Sequence, residues 1–188
     1  MNRRHVVFLD RDGTINREVD VLHDVKQLRL LPGAAGAVAA LNRLGYLTVI
    51  ATNQAVIARG WRTEEEVNDI HRELVRRVAK HGGHFDAIHL CPHHPNANLK
   101  RYRKNCQCRK PGIGMIRTAA KLLGIRLDRK SYFVGDHTRD ILAGKRAGLT
   151  TILVETGYAG KDKHHDVQPD FVARNLAAAV KIIKKHGT

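Results

Sequence analysis

No apolar run in this 188-residue sequence approaches the roughly 18 residues needed to span a bilayer. The N-terminal run His5-Val-Val-Phe-Leu9 is too short for a signal-peptide core, so the expected location is the cytoplasm. Cysteine is scarce. There are three, an odd number, and Cys106 and Cys108 stand only two positions apart, which points away from disulfides and toward metal or redox chemistry. Aromatic residues make up 5%, and the sequence offers neither a stacking platform nor a nucleic-acid motif. Internal repeats, low-complexity stretches and linkers are also absent, so residues 1–188 read as one domain. A monomer is expected, with neither nucleic acid nor a membrane as a specific partner.

Acidic residues are the minority, 18 against 33 basic, for a formal charge of +15. The excess gathers at Arg3–Arg4, Lys100–Lys104, Arg109–Lys110 and Lys181–Lys185. Much of it is solvated surface, but such a balance concentrates anionic ligands, whether sugar phosphate or nucleic acid.

Short apolar runs alternate with helical patterns, which indicates an α/β fold with a doubly wound, mostly parallel sheet. Strands are expected at His5–Leu9, Tyr46–Ala51, Phe85–Leu90, Ser131–Val134, Thr150–Val154 and briefly at residues 170–172. Helices are expected after Pro32-Gly33 to about Gly45, from Thr63 to Gly82-Gly83, over Ile113–Leu123, over Asp140–Ala147 and from Asn175 to about Lys185. Thr63 and Glu66 have the spacing of a reciprocal N-terminal cap. Cys91–Cys108 is a polar, basic insertion without periodicity.

Parallel sheets collect ligands at the carboxyl ends of their strands. Asp10, Asp12, Thr52 and Asp136 all fall there. Asp10 and Asp12, two apart, point to one side of an extended segment, and Gly13 permits the turn that brings both to one ligand. Carboxylates this close repel unless a cation bridges them or one takes a proton. Phosphoryl transfer uses both: an ionised carboxylate attacks phosphorus, and a protonated neighbour serves the departing alcohol. Magnesium, hard and oxygen-seeking, suits the pair. Taken alone, Asp10-Arg-Asp-Gly13 also reads as a turn after a strand; a calcium loop would need its glycine later and a closing Glu. Thr52 and Lys110 supply the hydroxyl and cation that hold non-reacting phosphoryl oxygens, and Asp136 and Asp140 add acidic groups. Gly112-Ile-Gly114 lacks the third glycine of a dinucleotide site and follows a loop.

A second constellation lies in the insertion. Cys91, His93, Cys106 and Cys108 offer three thiolates and an imidazole, a set that fills a tetrahedral zinc shell and leaves no open position. His94 is a weaker candidate and His89 weaker still.

Asp10-x-Asp12-Gly-Thr14, the strand ending at Thr52, Lys110, and Gly135-Asp136 with Asp140 together resemble the four motifs of the haloacid dehalogenase superfamily of phosphatases. The resemblance implies a Rossmann-like fold with Asp10 as nucleophile and Asp12 as acid and then base. It also implies magnesium held by Asp10, the Asp12 backbone carbonyl and Asp136. Within the superfamily the zinc loop, spanning residues 91–108, is similar to those of histidinol phosphatases and of D-glycero-D-manno-heptose-1,7-bisphosphate 7-phosphatases. The twelve residues between His93 and Cys106 favour the second group, as do Thr52-Asn-Gln54, Ile57-Ala-Arg-Gly60 and Cys108-Arg-Lys-Pro111. That group implies Thr52, Arg109 and Lys110 on the phosphoryl group, and Asn53, Gln54 and His137 facing an anionic sugar phosphate. No segment between the motifs is long enough for a separate cap domain. Val19-Asp-Val21, Ala55-Val56 and His137 depart from the group's usual His-Gly-Tyr, Ser-Gly and Lys. The expected reaction is removal of the 7-phosphate from D-glycero-D-manno-heptose 1,7-bisphosphate, in ADP-heptose synthesis. Histidinol phosphate, another small phosphomonoester, and a DNA 3′-phosphatase or nucleic-acid-binding role are the alternatives.

Overall fold

Successive side chains of a strand point to opposite faces, and here both faces are apolar. Val7 and Leu9 of β1 (Val6–Leu9) pack into one core cluster while Val6 and Phe8 enter another. Tyr132 and Val134 of β4 (Tyr132–Gly135) join the first, and Phe133 joins the second. A strand buried on both sides must be covered by helices on both sides, which is the condition for a parallel sheet. The computed structural model, which describes residues 5–19, 22 and 24–187, satisfies it.

The remaining strands are β2 (Leu47–Asn53), β3 (Ala87–Cys91), β5 (Thr150–Val154) and β6 (Phe171–Ala173). All six form a single sheet in the order β3-β2-β1-β4-β5-β6, and every pairing is parallel. On one face lie α1 (Ala34–Arg43), α3 (Glu64–Ala79) and α6 (Leu176–His186), through Val38, Leu74 and Ile183 among others. On the other lie α4 (Gly114–Leu123) and α5 (Thr138–Arg146), through Met115, Ile116 and Ala143. The expected α/β architecture is thus present, with the sheet wholly rather than mostly parallel. Among the described residues no segment builds a separate cap, and no helix is long and apolar enough to cross a membrane.

Thr63 opens α3 with the reciprocal cap its spacing implied: its hydroxyl accepts from the Glu66 amide at 3.2 Å, and Glu66 accepts from the Thr63 amide at 2.7 Å. Several boundaries move by one or two residues; β2 runs on through Thr52 and Asn53, and β3 starts two residues late. The sequence pattern gave no sign of the one-turn helix α2 (Ala55–Ala58) or of the 3₁₀ turns at Val25–Gln27 and Lys100–Tyr102. Arg3, Arg4, Asp20 and Val21 lie outside the described residues.

Strand order reverses between β1 and β4, since the chain builds outward to β3 on one side and to β6 on the other. The crevice at the carboxyl edge of that seam is where such sheets bind ligands. The Asp10 amide donates to the Val134 carbonyl at 2.9 Å and stitches the seam to its last residue.

Helix α5 approaches β4 and β5 closely at Gly144, where an added Cβ would stand 2.6 Å from Thr151 Cγ2 and 2.8 Å from Phe133 Cβ. Gly144→Ala should therefore destabilise the fold by about 1–3 kcal/mol through overpacking. The expected readout is a thermal midpoint lower by several degrees in a scanning melt, and an unchanged midpoint would contradict this packing.

Candidate active site and metal centre

The seam presents three carboxylates to one another. Asp10 follows β1, Asp136 follows β4, and Asp140 reaches back from the first turn of α5; all three are almost fully buried. The chain is shaped around them. An added Cβ on Gly135 would stand 2.5 Å from Asp140 Cβ. Gly13 (φ +74°) and Gly157 (φ +62°) press on Asp136 from two sides, their added Cβ atoms falling 2.3 and 2.2 Å from its Oδ2. Only glycine tolerates both that backbone and that proximity. Asp136 Oδ2 accepts from the Tyr158 amide at 2.7 Å, and Oδ1 bonds His137 Nδ1 at 3.0 Å.

Lys110 is the internal cation. Its Nζ lies 2.8 Å from both Asp10 Oδ1 and Asp140 Oδ1 and is itself buried. Asn53, at the end of β2, fixes the lysine's backbone: its Oδ1 accepts from the Lys110 amide at 3.0 Å and its Nδ2 donates to the Lys110 carbonyl at 3.1 Å. The expectation that Asn53 faces substrate is half the picture, because both ends of its amide serve Lys110.

One ammonium does not neutralise three carboxylates. Burial, followed by repulsion from Asp140, raises Asp10 above the usual carboxylate range against the pull of Lys110 and Arg139. A nucleophile needs the ionised form. Asp10, Asp136, His137 and Asp140 bring one ligand atom each to within 4.8 Å of one another. The three carboxylates among them are hard oxygen donors that fit a magnesium ion, which would favour the ionised Asp10.

Asp12 is held differently. Arg11 donates to Asp12 Oδ1 from Nε and to both oxygens from Nη2, at 2.7–3.0 Å. Asn16 adds a bond of 2.8 Å to Oδ1 and Gln54 one of 3.0 Å to Oδ2. Burial alone would raise this carboxyl, but the Arg11 charge and these bonds outweigh it and hold Asp12 below the usual range. Gln54 Nε2 also donates to Thr52 Oγ1 at 2.8 Å, so the Thr52 hydroxyl keeps its own proton for another acceptor. Gln54, expected to line the substrate site, touches the cavity but spends its amide on Asp12, Thr52 and Arg11.

Above the seam opens a cavity of about 230 Å³ bordered by Asp10, Asp12, Thr52, Asn53, Gln54 and His137. Arg59, Arg109 and Arg139 line it too. Burial and then the nearby Arg139 lower the Arg109 pKa, with Arg59 contributing. The sequence reading overlooked Arg139 and the half-buried Glu18, whose carboxyl is raised to about 7 by burial and by Asp12, Asp136 and Asp10. Glu18 carried only its proximity to the first motif as a signal, and Arg139 only its place between Asp136 and Asp140.

The second metal constellation forms as expected. Cys91, His93, Cys106 and Cys108 converge, their ligand atoms within 4.8 Å of one another, and all three cysteines are free thiols. His93 Nδ1 lies 3.2, 3.3 and 3.7 Å from the sulfurs of Cys106, Cys108 and Cys91. A tetrahedral zinc site separates nitrogen and sulfur by about 3.5 Å, from its usual bond lengths. The sulfurs, 2.7–3.4 Å apart, are drawn tighter than the roughly 3.8 Å of that geometry. The donor set fits a thiophilic cation. His94 stands apart, accepting the Asn96 amide, and His89 lies outside the cluster. The two glycines of Gly112-Ile-Gly114 serve this knuckle: an added Cβ on either would meet the Gln107 carbonyl at 2.4 or 2.7 Å. Arg109 Nη1 donates to the His93 carbonyl at 3.1 Å, which ties the knuckle to the cavity.

These features can be set beside known proteins. A HAD-hydrolase-like family model matches residues 107–179. The D-glycero-beta-D-manno-heptose-1,7-bisphosphate 7-phosphatase of Vibrio cholerae is 42% identical over 152 residues, covering 80% of this chain and 81% of its own. The enzyme of that name from Pasteurella multocida is 36% identical, over 96% of this chain and 97% of its own. The chain belongs to this heptose-bisphosphate phosphatase family of the haloacid dehalogenase superfamily. A crystal structure of D,D-heptose 1,7-bisphosphate phosphatase from B. bronchiseptica, complexed with magnesium and phosphate, superposes with a TM-score of 0.86 at 33% identity. It covers 96% of this chain and 98% of that one. The family's phosphatase chemistry therefore frames the carboxylates at the seam.

Two substitutions test the site as built. Gly157→Ala should drive a methyl group into the Asp136 carboxylate and weaken magnesium affinity at least tenfold in a calorimetric titration, with the fold retained by circular dichroism. Cys106→Ser should lose the bound metal, read by elemental analysis, and expose residues 91–108 to protease, because ligation energy orders such loops. A metal content unchanged by Cys106→Ser would refute the ligand set.

Proposed function

We propose that the chain removes the 7-phosphate of D-glycero-D-manno-heptose 1,7-bisphosphate, with Asp10 as nucleophile. The observation that carries this reading is Asp10 itself: it lines the cavity at the β1–β4 seam, held from behind by Lys110 and faced by Thr52 and Asp12. The family's name for its substrate and the arginine rim support the bisphosphate. Arg139 has no hydrogen-bond or ion-pair partner among the described residues, Arg59 rests over the Trp61 ring, and Arg109 makes one bond to a carbonyl. Three guanidiniums lining one cavity, none of them in a direct salt bridge among the described residues, suit a phosphate that stays bound. His137 packs against Tyr158 with the rings tilted, 4.3 Å between centroids, and its pKa is raised because bonding to Asp136 and the nearby carboxylate charges outweigh burial. It therefore borders the cavity as a further titratable group.

In the first step an Asp10 oxygen attacks phosphorus, the bond from phosphorus to the sugar oxygen breaks, and the alcohol takes a proton. Thr52, Lys110 and Arg109 supply donors for the equatorial oxygens. In the second, water attacks the phospho-aspartate, Asp12 takes its proton, and phosphate leaves with Asp10 restored. Asp12, held ionised, is ready for this second step as base. Its role as acid requires prior proton uptake, which a substrate dianion seated beside it favours by adding like charge. Magnesium held by Asp10, Asp136 and the Asp12 backbone carbonyl would supply charge neutralisation. The same reading treats residues 1–188 as one phosphatase domain, with zinc in the loop at 91–108 fixing the segment that presents Arg109 and Lys110.

Asp10→Asn should abolish turnover in a folded protein. The heptose bisphosphate should exceed histidinol phosphate by at least about a hundredfold in kcat/KM, roughly 2.7 kcal/mol of transition-state stabilisation, because the ammonium of histidinol phosphate meets the arginine rim. Equal kcat/KM for the two would remove the heptose assignment and leave the phosphatase chemistry; an active Asp10→Asn would remove the covalent mechanism.

A further inference from the structure

Arg11 is among the largest fully buried side chains of the described residues. A guanidinium in that position needs an acceptor for each donor edge. Nε and Nη2 face Asp12, and Nη2 also donates to Gln54 Oε1 at 3.1 Å. The opposite end, Nη1, meets one partner, His71 Nε2 of α3, at 3.1 Å. Arginine stays protonated and can only donate. His71 Nε2 must then be the bare acceptor nitrogen, with the ring neutral and its proton on Nδ1. The environment agrees: His71 is 4% exposed, and burial followed by the Arg11 charge lowers its pKa to about 3.

The contacts run on from there. With its Oε1 turned to Arg11, Gln54 must present Nε2 to Asp12 Oδ2 and Thr52 Oγ1. That orientation makes Thr52 an acceptor toward Gln54 and frees its O–H toward the cavity. We propose that His71 is a positioning residue for phosphoryl transfer. By accepting from Arg11 it fixes the guanidinium plane that aims Asp12 and, through Gln54, the Thr52 hydroxyl. The inference rests on the roles proposed for Asp12 and Thr52. It adds a participant from α3, 59 residues beyond Asp12 in the chain, that touches neither substrate nor metal.

His71 also borders a surface groove with Asn68, Arg72, Val75, Ile88 and Leu90, so a small molecule can reach its place from outside. The test uses the magnesium-loaded 188-residue protein. His71→Ala should lower kcat for the heptose bisphosphate by about 10- to 100-fold, part of the ~10²–10⁴ that acid–base catalysis contributes, with KM within threefold. Added imidazole should restore at least a third of the loss. With p-nitrophenyl phosphate, whose leaving group needs no proton, the variant should release a burst of about one nitrophenol per chain before slow turnover, because Asp12 is needed only for water activation there and that step suffers more than the first. Lesions that merely loosen the fold would shrink burst and turnover together, and would track the melting temperature. His71→Gln, which keeps an acceptor at that place, should stay within about threefold of wild type. If His71→Ala does not fold, His71→Gln decides alone, a folded but equally slow variant overturning the proposal. Wild-type kcat in His71→Ala, or loss without imidazole rescue and without the burst, also overturns it. Asp12→Asn separates the two levels: full turnover there removes the underlying role of Asp12, whereas a dead Asp12→Asn beside an unimpaired His71→Ala removes only the inference about His71.

Discussion

Mutual repulsion among Asp10, Asp136 and Asp140, buried at one sheet seam, is the constraint the rest of the structure answers. Carboxylates in such surroundings favour protonation, and Asp10 is already displaced in that direction. Each neighbouring feature offsets the strain in its own way. Lys110 bridges two of the three, the Tyr158 amide and His137 occupy the oxygens of Asp136, and glycines at 13, 135 and 157 let backbone come close where a side chain would intrude. What remains is a cluster of converging carboxylate oxygens, which is a divalent cation's environment.

The cysteine knuckle belongs to this same problem although it lies outside the seam. Lys110 sits two residues beyond Cys108, and Arg109 is tethered to the His93 carbonyl. The lysine's own backbone is then grasped by Asn53. A cation delivered by a long, irregular loop would ordinarily be mobile. Here it is fixed at both ends, once by the knuckle and once by the strand terminus, so the loop behaves as part of the scaffold. Second-layer contacts of this kind commonly decide whether groups at a centre are held well enough to act.

The sheet was legible because its strands carry apolar runs and end on chemistry. Thr150–Val154 matches residue for residue, and Asp10 and Asp136 stand where strand ends imply. The four knuckle ligands were legible for a related reason, since thiols and imidazoles in a polar loop have few structural uses. Amide side chains were harder. Asn53 and Gln54 follow Thr52 at the cavity, and their neighbours in sequence suggest substrate, yet their bonds go mainly to Lys110, Asp12 and Thr52. An amide can donate in one direction and accept in another, and only three-dimensional placement shows which groups receive it. His71 was illegible for a plainer reason. Within α3 it continues the inward-facing helical row of Val67, Ile70 and Leu74, and nothing in that row marks it as the acceptor for a charge made 60 residues earlier.

The loop after β5 has a consequence for how the protein is made. Asp136 is enclosed by Gly157 and by the Tyr158 amide, and the Gly160 amide donates to the Asp136 carbonyl at 2.7 Å. All of these are synthesised some twenty residues after the aspartate and nearly 150 after the nucleophile. A chain elongated only to Val154 would hold Asp10, Asp136 and Asp140 but lack the Gly157, Tyr158 and Gly160 side of the enclosure around Asp136. Asp136 must wait for this short segment to complete its surroundings. The backbone that closes on Asp136 thus follows Asp10, Asp136 and Asp140 in the order of synthesis.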